Sequence, residues 1–198
     1  MTPHPPQGRS IANLPNLLTF FRILVIPLLV VLLRNPGRRE SIFAAVMFFL
    51  ACWSDFLDGY LARRRGIITP LGKLLDPLAD KLIVMAALVM LAAALREPRV
   101  PAWMVVLIVG RELAVTGLRA IAVSEGIVLA ADELGKYKMI FQMFALHGLL
   151  LHYGFFGIDF HAAGMYFLWI ALVVGLWSAV GYHVQVIRLA VRGRPAGI

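Results

Sequence analysis

Cysteine occurs once, at Cys52, in a chain of 198 residues. No internal disulfide can form, which excludes a secreted scaffold held by bridges. Cys52 itself lies in an apolar run and reads as a small buried hydrophobe. Charge is scarce too. Asp, Glu, Lys and Arg make up 15% of the residues, against about a quarter in soluble globular domains. There is no repeat of fixed period and no low-complexity tract beyond a short Pro-containing start. These deficits leave neither an ordinary soluble enzyme nor a disordered tail. What is plentiful is apolar surface: 61% of the chain, with a mean hydropathy of +0.83. A core of this size cannot hide so much, so the chain reads as an integral membrane protein.

A crossing helix needs about 20 mostly apolar residues. Six stretches qualify, at 14–33, 41–63, 73–95, 101–123, 136–156 and 163–188. The expected fold is an all-α membrane protein of six transmembrane helices, with a polar active-site cavity on the cytoplasmic side. Residues 1–13 form an N-terminal cytoplasmic or interfacial segment, 14–190 the membrane domain, and 191–198 a basic cytoplasmic tail. The first apolar run is as long as a full span and lacks a small-x-small exit, so it reads as a span rather than a cleaved leader. With the N-terminus inside, only Arg34, Arg38, Arg39, Arg96 and Arg99 of the nineteen Lys and Arg residues fall outside. That bias sets the orientation and predicts a multi-pass protein of the inner, cytoplasmic membrane. Asn35-Pro36-Gly37, the Glu97–Pro101 stretch and Gly157–Gly164 supply the outer breaks. Trp103 and Trp169 near the outer ends read as interface anchors.

Against this background the acidic residues stand out, because a charge in a span needs a partner or a task. Asp55 and Asp58 end the second span, and Asp76 and Asp80 begin the third. Spacings of three and four put each pair on one helical face. The short connection runs the two helices antiparallel and lets the faces meet. Four convergent carboxylates would repel one another unless a divalent cation joined them. All-oxygen ligands favour Mg²⁺ or Mn²⁺ over zinc. Gly59, Ala62 and Gly72 leave backbone room beside the acids, and Arg63 has the forked donors that suit a phosphate. Pro77 falls in the first turns of the third span, where its missing N–H is tolerated or kinks the helix. The competing reading is plain ion pairing, Asp58 with Arg63 and Asp80 with Lys81 or Lys73.

Asp-x2-Asp-Gly-x2-Ala-Arg-x8-Gly-x3-Asp-x3-Asp, complete at Asp55, Asp58, Gly59, Ala62, Arg63, Gly72, Asp76 and Asp80, resembles the signature of the CDP-alcohol phosphatidyltransferases. The resemblance covers nearly the whole chain. It implies a homodimer of six-span subunits, a site of two metal ions (Mg²⁺ or Mn²⁺) facing the cytoplasm, and transfer from a CDP-activated donor. It further implies that Asp55, Asp58 and Asp76 hold metal. Asp80 is implied as general base, touching the second ion as well. Gly59, Ala62, Arg63 and Gly72 would line the CDP site.

Outside the signature, several stretches resemble the branch of the family whose acceptor is glycerol 3-phosphate. They are Asn16-Leu-Leu-Thr19-Phe-Phe-Arg22, Arg111-Glu112, Gly117-Leu-Arg119-Ala, Glu125-Gly126 and Gly135-Lys136-Tyr-Lys138. That implies a phosphatidyl group passed from CDP-diacylglycerol to the primary hydroxyl of sn-glycerol 3-phosphate, giving phosphatidylglycerophosphate and CMP. Such a dianion calls for cations beyond the metal site, and Arg111, Arg119, Lys136 and Lys138 are the candidates. Arg111 reads equally as a structural partner of Glu112, and the two lysines as inside-positive anchors. Asn16, Thr19 and Arg22 share one side of the first span; they read as CDP ligands or as packing and capping groups. Inositol phosphate is the next acceptor in rank, whereas neutral serine would leave these cations idle. The five histidines read as packing or interface residues, and Glu40, Glu97, Asp132, Glu133 and Asp159 as loop charges. A divalent-cation carrier would need polar groups continuing to the outer face, which the spans lack. Nothing suggests nucleic acid.

Overall fold

The computed structural model describes residues 14–65, 70–125 and 133–192, with side chains at 17–54, 75–125 and 133–188. Six helices follow one another: α1 (Leu14–Arg34), α2 (Arg38–Arg65), α3 (Pro70–Ala93), α4 (Ala102–Ser124), α5 (Glu133–Leu151) and α6 (Phe160–Arg192). Between α5 and α6 lies a two-stranded hairpin, β1 (Gly154–Phe155) with β2 (Ile158–Asp159). The six apolar stretches of the sequence therefore each become one helix.

Two boundaries differ from expectation. The fifth apolar run stops at Leu151 instead of continuing to 156, because His152 adopts a positive φ of 61°. Its N–H closes the helix on the Gly148 carbonyl at 2.9 Å, a left-handed terminating turn that apolar patterning does not reveal. Pro77 lies two turns inside α3, since Pro70 opens that helix. Proline is at home in the first turn and is tolerated further in where neighbouring helices cover the break. Glu40 and Glu133 belong to first helical turns rather than loops, which is where the helix dipole favours an acid.

The helices alternate in direction. At one end Tyr153 bonds the Pro36 carbonyl at 3.4 Å and Arg96 reaches Ser41 and the Leu149 carbonyl, so all three odd-numbered connections meet there. Trp103 and Trp169 also meet there, their ring centroids 5.5 Å apart. The half of the bundle nearest this end is filled by Leu29, Leu33, Phe48, Leu88, Met104 and Leu168, all sealed from the surface. A smaller cluster of Val115, Ala179 and Tyr182 lies further along α4 and α6.

Polarity is inverted relative to a water-soluble fold. Thr19, Arg22, Ser41, Lys138, Gln142 and Ser178 are buried. Leu24, Val31, Val106, Val123 and Trp177 instead turn outward, each at least two-thirds exposed. Apolar surface on this scale calls for lipid. Among the described residues α1 over Leu17–Arg34 and α6 over Phe160–Arg188 are long and apolar enough to cross a bilayer. The other helices mix charges or polar groups into their length, as at Asp76, Asp80 and Lys81 in α3.

Candidate active site

The buried charges gather at the end of the bundle opposite the three loops. Asp76 and Asp80 stand one turn apart on α3, so both face α1. There Thr19 Oγ1 donates to Asp76 Oδ1, and Arg22 Nη1 to Asp80 Oδ1. Arg22 Nη2 lies 3.5 Å from Asp76 Oδ1. Thr19 and Arg22 occupy successive turns of α1, which is why a single helix face serves both acids. Arg22 is only 1% exposed, whereas the two carboxylates are 37% and 39% exposed. Each acid is thus fastened to α1 and still keeps more than a third of its side-chain surface accessible. The pairing differs from the expectation of Lys81: Asp80 takes Arg22, 58 residues away, and Lys81 turns instead to Thr116; the other expected partner, Lys73, lies outside the described side chains. A carboxylate recruits a neighbour across the helix interface because residues adjacent in sequence point to different faces.

Lys81 Nζ donates to Thr116 Oγ1 at 2.7 Å, and that hydroxyl donates to the Glu112 carbonyl at 2.7 Å. This joins α3, one residue beyond Asp80, to the middle of α4. Glu112 Oε2 then accepts from Arg111 Nη1 at 3.2 Å and from Lys138 Nζ of α5 at 2.6 Å. Arg111 has two further acceptors on α6, the Gly175 carbonyl at 2.9 Å and Ser178 Oγ at 3.0 Å. Glycine at 175 permits this approach: a Cβ there would stand 3.3 Å from Lys138 Cγ. Eight residues on from Arg111, Arg119 donates from Nη2 to the Tyr182 hydroxyl and lies over its ring, 4.7 Å from the centroid. Lys136 is exposed and pairs with Glu133 in its own first turn at 3.0 Å.

Thr19, Arg22, Asp76 and Asp80 are therefore brought together, and Arg111 and Arg119 of α4 and Lys138 of α5 pack against α6. Asp55, Asp58, Gly59, Ala62, Arg63, Gly72 and Asn16 belong to α2, α3 and α1, but their side chains lie outside the described residues. The expectation of Glu112 beside Arg111 is met. Sequence reading missed Lys138 as the second partner, and missed Thr116, Gly175, Ser178 and Tyr182 altogether. The last three repeat at i, i+3 and i+7 on α6, one face of a helix, and that periodicity was the available signal.

The donor chemistry at Asp76 and Asp80 suits a hard divalent cation: two carboxylates on one helical face, each partly exposed and oriented by a hydroxyl and a guanidinium. The other histidines do not join them. His147 and His183 donate to backbone carbonyls at 2.7 Å, and His152 meets His161 at the opposite end.

A helical bundle with an apolar exterior and one polar, acid-bearing end is the architecture of a membrane protein with a candidate site at that end. The sequence profile of the CDP-alcohol phosphatidyltransferases matches residues 12–177. A CDP-diacylglycerol–glycerol-3-phosphate 3-phosphatidyltransferase of Bacillus subtilis is 41% identical over 85% of this chain and 90% of its own. Proteins of the same name from Rickettsia typhi and Haemophilus influenzae are 37% and 34% identical, each over 86% of this chain and 94% and 91% of theirs. The chain belongs to the CDP-alcohol phosphatidyltransferase family; it is a membrane-bound transferase of phospholipid biosynthesis.

Proposed function

We propose that this enzyme transfers the phosphatidyl group of CDP-diacylglycerol to the primary hydroxyl of sn-glycerol 3-phosphate, releasing CMP. It would thus be a phosphatidylglycerophosphate synthase; its relatives are named CDP-diacylglycerol–glycerol-3-phosphate 3-phosphatidyltransferases. The observation that carries the reading is the cation-rich end of α4, α5 and α6 tied through Thr116 to the helix of Asp76 and Asp80. A dianionic acceptor needs such a field beside the acids; a neutral one does not.

In this reading Asp55, Asp58, Asp76 and Asp80 hold Mg²⁺ or Mn²⁺, two ions in all. Bound there, the metal would neutralise the diphosphate and the departing phosphate of CMP. The chain's own groups do the rest. Asn16, Thr19, Arg22, Arg63 and the small residues Gly59, Ala62 and Gly72 form the CDP site. Asp80, fixed by Arg22, takes the proton from the acceptor hydroxyl. That oxygen attacks the phosphorus bearing diacylglycerol, and the phosphoanhydride bond to CMP breaks. Arg111, Arg119, Lys136 and Lys138 supply the positive field around the acceptor phosphate. The acyl chains stay in lipid while the head group enters the polar end. We place six helices across the inner membrane, the site towards the cytoplasm, in a homodimer.

Purified protein in detergent, given CDP-diacylglycerol, Mg²⁺ and in turn glycerol 3-phosphate, inositol phosphate and serine, tests this directly. CMP release is expected with glycerol 3-phosphate at the highest kcat/KM. Preference for another alcohol overturns the acceptor. Asp80→Asn is expected to lower kcat about a thousandfold with the fold retained, and full activity would remove the base assignment.

A further inference from the structure

The four cations assigned to the acceptor are not held alike. Arg111 and Lys138 are 8% and 10% exposed, and both are paired with Glu112, whose one negative charge offsets one of the two. Arg111 spends three donors on protein acceptors. The void between them, bordered by Leu107, Leu172 and Gly175, measures about 10 Å³, no larger than a single water requires. Lys136 is answered by Glu133.

Arg119 differs. Its side chain is exposed, and its one hydrogen bond among the described residues goes to the neutral Tyr182 hydroxyl. An aromatic face and a phenol hold a guanidinium without cancelling its charge. Tyr182 is itself 4% exposed, packed with Val115, Leu118 and Ala179, so the cradle is rigid. Arg119 also lies three residues past Thr116, less than one turn along the same face, and Thr116 bonds the neighbour of Asp80. A held, uncompensated, forked cation, joined to the helix of Asp80 through Thr116 and Lys81, is in position for a phosphate monoester.

We propose that Tyr182 is a positioning residue that aims Arg119 at the phosphate of the acceptor, while Arg111 and Lys138 form the framework behind it. This rests on the reading of a phosphorylated acceptor given above. Tyr182 acts on the acceptor through Arg119 rather than by touching it. Its removal frees the guanidinium to swing, so acceptor affinity falls while the chemistry of the bound complex persists.

The test titrates the acceptor against full-length protein in detergent at saturating CDP-diacylglycerol. Tyr182→Phe keeps the ring and loses the hydroxyl; it is expected to raise the acceptor KM about fivefold. Tyr182→Leu loses both and is expected to raise it about twentyfold. In both, kcat and the KM for CDP-diacylglycerol stay within about twofold. In an Arg119→Lys background, which already raises the acceptor KM, Tyr182→Phe is expected to add nothing. Trp177→Leu, on the lipid face of the same helix, serves as control. An unchanged acceptor KM in Tyr182→Phe, or equal effects with and without Arg119, overturns the proposal; the Phe variant and the cycle decide the matter even if the Leu variant does not fold. Wild type acting on inositol phosphate instead overturns only the acceptor assignment, since the same series is then read on that substrate. Wild type acting on serine alone overturns both.

Discussion

Arg22 concentrates three roles in one side chain: it is 1% exposed, it bonds Asp80, and it lies 3.5 Å from Asp76. A lysine would keep the charge but lose the fork that spans two carboxylates. Arg22→Lys is expected to fold and to lose about tenfold in kcat/KM, measured as CMP release. Arg22→Met leaves two acids a turn apart with no cation from α1. Both acids are more than a third exposed, so solvent screens much of the loss; about 1–2 kcal/mol of stability should go, read as a lower melting temperature in detergent. At the far end, His152 meets His161 at 3.2 Å between Nδ1 atoms. Burial holds the His152 pKa below its ordinary 6.5, helped by the charges of Arg96 and His161, while the Glu97 backbone and Asp159 act the other way. The unfolded chain therefore binds this proton more readily, so the stability it contributes is present above the ordinary value and lost as pH falls below it. Wild type should lose more melting temperature between about pH 7.5 and about pH 5.5 than His152→Asn, a residue that also tolerates positive φ. Parallel curves would disprove the linkage.

At the level of elements, the closest packing is between α5 and α6, and two glycines make it possible. A Cβ at Gly148 would stand 2.9 Å from Gly164 Cα, and one at Gly164 would stand 2.7 Å from the Leu149 nitrogen. Both obstacles are backbone, which cannot step aside as a flexible side chain can. In lipid there is little hydrophobic drive between helices, so close backbone approach is what holds such a crossing. Gly164→Ala should therefore separate α5 from α6 and cost about 1–3 kcal/mol, seen as a lowered melting temperature. Because Lys138 and Gly175 lie on these two helices, the acceptor KM should rise with it. Gly175→Ala meets only side-chain atoms, nearest the Cγ of Lys138 at 3.3 Å and then Arg111 Nε at 3.8 Å, and should disturb stability less. The hairpin turn at Phe156 and Gly157, both at positive φ, then returns the chain to α6 within a few residues.

For the whole molecule, polarity runs along the bundle axis. One end is an apolar-filled half closed by three linked loops, and the other holds the partly exposed acids and the buried cations. Such a gradient suits a reaction in which a lipid donor and a water-borne acceptor must meet at the interface. If the polar end faces the cytoplasm, Arg99→Cys in a Cys52→Ala background should react with an impermeant maleimide on intact cells. Lys136→Cys should react only after permeabilisation. The reverse pattern would invert the orientation; labelling of both from outside would break the alternation of helices across the membrane.

Much of this was readable in one dimension. Apolar run lengths located six helices to within a few residues, because crossing length and backbone satisfaction in lipid admit little else. The acids of α3 stood out because charge in such a run is costly, and their spacing of four placed them on one face before any coordinates. The end of α5 was not readable, since His152 turns the chain by a backbone angle that composition does not encode. Partner choice was not readable either: Asp80 with Arg22, Lys138 with Glu112 and Arg119 with Tyr182 join residues 58, 26 and 63 positions apart. Chemistry along the chain determined which groups must find partners inside the membrane. Only the packing of helix against helix decided which partner each one found, because charge pairing depends on a few ångströms that the order of residues leaves open.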